Sequence, residues 1–310
     1  MTLPREPALS VLIATYDRPE SLVETLRCLS ACSSREFFEV VVIDNGREPF
    51  VSAAMLDLPG LPAHRLLREA RGGKSHALNR ALEEGGLAEI VAVLDDDTSP
   101  AADWIDAVLA ASRRLPEYSI FAGRTRIDWP KGFDVPRWAR TRLAGGILFS
   151  VFDSGRDQDV EFGVDSPRFP SGNHFWFRRS LLSEGVRFPA VWTTEAHFVV
   201  QLQARGHRGV FVSAPLVGHR VQPRLLDPHV FEERALHFGR DMASLETCSG
   251  PVEMRRWLRR VRAIAALAGW STAWLGTRLA GNGIGLSARA RALWGIALNR
   301  ERLRHPRKAG

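Results

Sequence analysis

Residues 9–14 (LSVLIA) form a short apolar run broken by one serine, and polar residues follow at once. A run this short and rich in branched side chains reads as a buried strand. Asp17-Arg18-Pro19 ends it, and the next segment (SLVETLRCL) sets Leu22, Leu26 and Leu29 on one helical face. The alternation repeats. Residues 39–43 (EVVVI) predict a second strand ending at Asp44-Asn45-Gly46, residues 74–84 (KSHALNRALEE) a helix, and residues 89–94 (EIVAVL) a third strand ending at Asp95-Asp96-Asp97. Pro100 stands where a helix tolerates proline, so a helix is expected from there to about Arg114. Strands alternating with helices imply a parallel sheet with right-handed crossovers, whose ligands sit outside the carboxyl ends of the strands. Three polar strand ends, at Thr15-Tyr16-Asp17, Asp44-Asn45 and Asp95 to Asp97, then converge on one edge.

The second half is less regular. Trp129, Phe133 and Trp138 lie among prolines and suggest a long loop between about 120 and 175. HFWF reads as a strand, RRSLLSEG as a short helix stopped by Gly185, residues 194–205 as a helix and 210–212 as a strand. Near the end, Met254, Trp257, Leu258, Val261, Ile264, Ala265 and Ala268 fall on one helical stripe, with Arg255, Arg256, Arg259, Arg260 and Arg262 largely opposite. This is a basic amphipathic helix. Its apolar stretch, 263–275, is too short to cross a bilayer. The expected layout is an α/β domain over 1–245, whose halves, 8–118 and 119–245, meet at about 118. A helical region over 246–310 follows.

Composition narrows the choice. Of 310 residues, 45% are hydrophobic and 25% charged, which fits a folded chain. The formal charge of +7 is uneven: residues 251–310 hold thirteen Arg or Lys against Glu253 and Glu301, a net of +11, leaving −4 for the rest. A near-neutral body with a basic end is not the profile of a nucleic-acid-binding protein. It leaves two readings of 251–280, peripheral contact with an anionic membrane or packing on the body with solvated arginines. Cys28, Cys32 and Cys248 lack metal-ligand spacing and read as free thiols of a reducing compartment. The N-terminus lacks the layout of a signal peptide. A cytoplasmic location is expected, with attachment to the inner membrane face as the open alternative.

Three adjacent carboxylates repel one another, so a chain keeps them where something positive relieves the repulsion. Oxygen ligands suit Mn2+ or Mg2+, which commonly bridge to substrate phosphates. Alternation in extended backbone turns Asp95 and Asp97 toward the cleft and Asp96 away. The competing reading is a solvated acidic loop in which Asp97, Thr98 or Ser99 caps the following helix.

ALSVLIATYDRPESL, EVVVIDNG, RGGKSHALNRAL and EIVAVLDDDTSP, in that order, resemble the successive motifs of family 2 glycosyltransferases, as do SGNHFWFRRSLLSEGVRF and TTEAHFVVQLQARGHRGVFVSAPLVGH. The resemblance covers about residues 8–222. It implies a GT-A-type, Rossmann-like α/β fold, a mostly parallel twisted sheet flanked by helices, with the helical C-terminal region as an extension. It also implies inverting transfer of a sugar from a nucleoside-diphosphate donor to an acceptor hydroxyl or amine, with Mn2+ or Mg2+ as cofactor. Carried over by motif, Thr15, Tyr16, Asp17 and Arg18 lie along the donor nucleotide. Asp44 contacts the base, which favours a UDP-sugar, unless it is simply the turn-former of Asp-Asn-Gly. Arg71 and Lys74 border the diphosphate or are solvated. Asp95 faces the ribose, with Asp96 on the donor side. Asp97 and His219 are metal ligands, His219 being otherwise a structural histidine. Gly172, Asn173, His174 and His197 lie on the acceptor side. Glu195 is the general base, standing where the family has aspartate; a carboxylate that only favours its helix dipole is the alternative. Thr194 and Gln201 replace a family glutamate and arginine. Two rival functions remain. One is a non-catalytic sugar-nucleotide or glycan-binding protein on the same scaffold. The other is a nucleotidyltransferase, disfavoured because ATYDRPES stands where a glycine-rich loop is needed.

Overall fold

The computed structural model describes residues 6–151, 158–162, 172–191, 193–248, 256–279 and 284–304. Strands β1 (Leu9–Thr15), β2 (Phe38–Asp44), β3 (Ala63–Arg68) and β4 (Ile90–Asp95) lie parallel in the order β3-β2-β1-β4. Their register sets Thr15 opposite Asp44, and Ala14 opposite Asp95, so the acidic strand ends do share one edge. Every residue of β1 and β2 is buried, as a sheet covered on both faces requires.

Strand alternation sorts the apolar residues into two layers. Val11, Ile13, Val40 and Val42 pack with Leu22, Leu26 and Leu29 of α1 (Pro19–Ser30), and with Trp104, Ile105 and Val108 of α4 (Trp104–Arg114). Leu12, Val41 and Ile43 pack with Ala77, Leu78 and Ala81 of α3 (Lys74–Glu84), and with Phe198, Val199 and Leu202 of α6 (Thr194–Ala204). A short α2 (Ala53–Leu56) precedes β3.

Beyond β4 the sheet continues with β8 (His174–Arg178), antiparallel to it, then β6 (Ile120–Asp128) and β9 (Gly209–Arg220), which run parallel to each other. β5 (Thr98–Pro100) and β7 (Val160–Phe162) add antiparallel pairs on β9. A 3-10 segment at Arg179–Glu184 ends on Gly185 at φ +71°, the stop its sequence announced.

Three expectations change. Pro100 does not open a helix. Residues 98–100 pair with β9, the Ala101 N–H donates to Leu216 O at 3.0 Å, and α4 starts only at Trp104. Proline, which has no N–H to give a ladder, is tolerated on such a short edge. β6 replaces the start of the expected long loop. The chain also divides into compact units of 1–128 with 152–220, and 129–151 with 221–310, rather than at 245.

In the second unit, α5 (Arg142–Phe149), α7 (Pro228–Cys248), α8 (Arg256–Leu279) and α9 (Ile284–Arg304) pack as helices. The aromatic-rich inserted segment belongs here because its apolar groups find cover on α7. Trp138 stacks on Phe231 at 5.1 Å, and Arg234 Nη1 donates to Leu148 O at 3.0 Å. Glycines bring the helices close: a Cβ on Gly239 would fall 2.4 Å from Trp294 O, and one on Gly295 2.5 Å from the Trp270 ring. Of the predicted amphipathic stripe, Met254 and Arg255 lie outside the described residues, as do the side chains of residues 256–261. Ile264, Ala265 and Ala268 are exposed and Ala263 is buried. Among the described residues no helix is long and apolar enough to cross a membrane.

Candidate active site

All the predicted site residues lie in the first unit. The acidic turn after β4 is built from behind. Ser21 Oγ and Thr25 Oγ1 donate to Asp96 O at 2.9 and 2.7 Å, Thr98 Oγ1 to Asp95 O at 2.7 Å, and Arg220 N to Asp97 O at 2.8 Å. The Arg220 guanidinium bonds Thr98 O, Thr25 Oγ1 and Ser21 O, tying β9 and α1 to this turn. Neither Thr25 nor Arg220 stands out in the sequence; their only signal is a polar position inside an apolar helix and a cation closing an apolar strand.

Within the run, the three aspartates part company. Asp96 is fully buried, accepting from Thr15 Oγ1 at 2.7 Å and pairing with Arg18 Nη2 at 2.5 Å. It thus shares the Arg18 guanidinium with Asp97 while its other oxygen is held by Thr15. Desolvation pushes its pKa up to about 6, against the opposing pull of Arg18. Asp97 takes Arg18 Nη1 on Oδ2 at 2.8 Å, while its buried Oδ1 makes no well-formed hydrogen bond and faces His219 Nε2 at 3.4 Å. Burial opposes its charge. His219, then Arg18 and Lys74, outweigh burial and hold the carboxyl well below its usual range.

An under-bonded carboxylate oxygen beside an imidazole nitrogen fits a divalent ion that fills its remaining positions with phosphate oxygens and water. Among the described residues no group of three or more His, Cys, Asp or Glu side chains gathers around a common point. The residues that fit the ion are therefore Asp97 and His219, as a partial ligand set.

Asp95 pairs with Lys74, whose ammonium also meets Glu195 and donates to Gly172 O at 3.0 Å. Lys74 opens α3 after Gly73, which takes φ +123°. Glu195 sits in the first turn of α6, 7% exposed. A Cβ on Gly172 would lie 2.9 Å from Glu195 Cδ and Oε2, so only glycine leaves room for this carboxylate. Burial raises the pKa of Glu195, Lys74 pulls it down, Asp95 adds to the rise, and the net shift is upward. Burial also opposes the charge on Lys74, yet Asp95 and Glu195 hold its pKa above the ordinary value.

Other expected site residues are engaged within the fold. Asp44 is 3% exposed, and its oxygens accept from Gly46 N at 3.0 Å, Phe50 N at 2.8 Å, Val51 N at 3.0 Å and Arg68 Nη1 at 3.3 Å. Four donors fill the four lone-pair sites of a carboxylate, which leaves none for a base N–H. Arg71 lays its fork on Glu69, at 3.0 and 2.9 Å. Asn45, named in the sequence only as part of a polar strand end, ties that loop down through Glu69 O, Arg71 O and Gly73 N.

His174 is fully buried. Trp104 Nε1 donates to its Nε2 at 2.8 Å, so its Nδ1 carries the proton and donates to Arg124 O at 3.1 Å. Desolvation drops its pKa to about 3. A Cβ on Gly123 would fall 1.9 Å from its Cε1, so it is a packed structural residue and not an acceptor contact. His197 Nδ1 lies 3.1 Å from Thr193 O on its own helix, and Asn173 Oδ1 lies 3.4 Å from Thr125 Oγ1. Tyr16 is 41% exposed with its hydroxyl accepting from Arg47, and Asp17, at φ +49°, presses Oδ1 toward Gly46. These two remain at the mouth of the edge.

Comparison with known proteins agrees with this architecture. Over 136 residues the chain is 29% identical to the succinoglycan biosynthesis protein ExoM of Rhizobium meliloti (strain 1021), 43% of each chain being covered. Over 125 residues it is 27% identical to a glucosyl-dolichyl phosphate glucuronosyltransferase of Haloferax volcanii, 39% of each being covered. The match thus spans less than half the length of these relatives. Among solved structures, a mannosyltransferase of Pyrobaculum calidifontis in complex with GDP-Man and Mn2+ superposes with a TM-score of 0.61 at 20% identity, covering 98% of this chain and 89% of that one. TarS residues 1–349 of S. aureus, in complex with UDP, gives 0.51 at 14% identity, covering 97% and 93%. These likenesses establish a shared GT-A fold. The family model for glycosyl transferase family 2 matches residues 10–185, more than half the chain, and with β1 to β4 carrying the acidic edge within that span, the protein belongs to glycosyl transferase family 2.

Proposed function

We propose that the chain transfers a sugar from a nucleoside-diphosphate donor to an acceptor hydroxyl or amine by a single, inverting displacement that depends on Mn2+ or Mg2+. The observation that supports this best is a division of labour among the carboxylates at the carboxyl edge of the sheet. Asp97 stands beside His219 with an under-bonded oxygen. Glu195 is held separately by Lys74 against Gly172. Asp97 and His219 would hold the ion, which when bound neutralises charge on the leaving diphosphate. Glu195 accepts the proton of the acceptor as its oxygen or nitrogen bonds to the anomeric carbon. The bond from that carbon to the diphosphate oxygen breaks, and its electron pair leaves with the diphosphate. With Asp44 saturated by its own loop, nothing here favours uridine over another base, and the donor is a nucleoside-diphosphate sugar as a class. The rivals named from sequence, a non-catalytic binder and a nucleotidyltransferase, do not account for a buried base kept ready in this way.

The test is hydrolysis and transfer by purified protein across a panel of sugar nucleotides, first with EDTA and then with Mn2+ or Mg2+. Turnover restored by metal supports the proposal; no turnover with any donor refutes it.

A second reading concerns α8. It leaves Ile264 57% and Leu275 60% exposed, on the region with a net charge of +11. Apolar side chains among arginines match an anionic bilayer surface, where rings and aliphatic groups insert while cations meet headgroups. Flotation with anionic vesicles should recover the wild type. It should fail with neutral vesicles and with Ile264→Asp/Leu275→Asp; equal recovery of wild type and the double variant ends this reading.

A further inference from the structure

Lys74 joins two carboxylates of the site, Asp95 and Glu195. All three of its ammonium donors are committed, to Asp95, to Glu195 and to the Gly172 carbonyl. It thereby links α3, the end of β4, the turn before β8 and the start of α6, and 28% of its side chain remains exposed. Among the described residues, the charged groups facing Glu195 are Lys74 from α3 and Asp95 from β4, and Gly172 lies against its carboxylate. A buried carboxylate whose neighbours are one cation and one anion holds its proton unless the cation stays in place. A proton-bearing Glu195 cannot take another from an acceptor.

We propose that Lys74 is the positioning residue that keeps Glu195 ionised and aimed, so that the protonation state of the base is set through α3 rather than by α6, which carries it. Lys74 touches neither acceptor nor anomeric carbon in this scheme; it acts through the carboxylate. Arg71, the other cation of residues 71–74, is spent on Glu69 and leaves the task to Lys74. Burial and Asp95 act to raise the pKa of Glu195, and Lys74 is the principal charge opposing them. Its removal therefore shifts the titration of Glu195 upward.

The proposal rests on Glu195 being the base, so it needs a readout that does not. With 13C-carboxyl-labelled glutamate in the full-length protein, the Glu195 resonance is assigned by its disappearance in Glu195→Gln, and its titration is followed in wild type, Lys74→Met and Lys74→Arg. The expected result is an upward move of about one unit or more in Lys74→Met, with Lys74→Arg close to wild type, since a unit corresponds to about ten-fold in the ionised fraction. The acid limb of kcat against pH should move by the same amount and be rescued in Lys74→Arg. A Glu195 titration that stays put in a folded Lys74→Met, checked by its circular dichroism and thermal melt, overturns the proposal. Should Lys74→Met not fold, a Lys74→Arg titration displaced as far from wild type as that of Lys74→Gln overturns it equally. The underlying reading fails separately, if Glu195→Gln keeps normal turnover.

Discussion

The carboxyl ends of β2 and β4 each carry a buried aspartate, and the chain uses them in opposite ways. Asp44 on β2 accepts from three backbone N–H groups and one arginine, all from its own neighbourhood. Asp97, just beyond β4, accepts from one arginine, leaves an oxygen under-bonded and relies on an imidazole for relief. Backbone donors cannot be given up without unfolding the loop, whereas a side-chain cation can yield to a ligand. The difference separates carboxylates that build the edge from those that can exchange partners on it, although both look alike as acids after an apolar strand.

The comparison is broken or sharpened by four experiments. The largest effect is expected at Glu195, on the exchanging side: Glu195→Gln should lower turnover by roughly 10²- to 10⁴-fold, the usual worth of a positioned base, with donor binding retained by calorimetry. Next, Asp97→Asn should weaken Mn2+ binding, read by electron paramagnetic resonance, by more than the roughly 10- to 100-fold typical of residues that only support a ligand. Asp44→Ala should do the reverse. It should cost about 1–3 kcal/mol in urea unfolding for stranded buried donors, and leave the ranking of donor bases unchanged. A change in that ranking would put Asp44 back among the ligand contacts.

The smallest effect per pH unit lies on the building side, at His174, whose pKa falls from 6.5 to about 3 on folding. The unfolded chain binds this proton first, so the stability due to neutral His174 is full above about pH 6.5 and is lost as pH falls toward 3. His174→Gln should flatten the dependence of the urea midpoint across that window, by up to about 1.4 kcal/mol per pH unit, one proton's worth.

How far these roles can be read in advance depends on where their partners come from. Asp95 to Asp97 were legible because an apolar strand and a change of polarity are both local, whereas the burial of Asp96 depends on the turn that carries it and on Thr15 and Arg18. The partners of Asp44 were not legible because saturation of its oxygens is decided by how residues 46–51 fold back and by Arg68, which no local pattern announces. His174 sits in a run, HFWF, that gives its strand correctly. Its role depends on Trp104 and Gly123, far away in sequence. β3 escaped notice for a simpler reason: as the outer strand its residues 63 and 64 are exposed, so it lacks the apolar run that marked β1, β2 and β4. Glu195 was placed through the family resemblance and not through its helix. The buried set of α6 includes Thr194, Glu195 and His197 beside Phe198 and Val199, so no apolar stripe separates a working residue from a packing one.

The division of the chain carries a consequence for how it comes to be folded. The second unit takes residues 129–151 from the middle and 221–310 from the end. Trp138 has its stacking partner in Phe231, and Leu148 its hydrogen-bond donor in Arg234, so the inserted stretch emerges from the ribosome with its cover still unmade. Contacts that far apart in sequence are costly to close and slow to form. During synthesis, the aromatic segment must wait through some seventy residues of the other unit before α7 arrives. Shortening the protein from its C-terminus far enough to remove α7 is then not the removal of an appendage. It leaves that segment uncovered for good, and a nascent chain stalled in the same place is the form most exposed to aggregation and to chaperones.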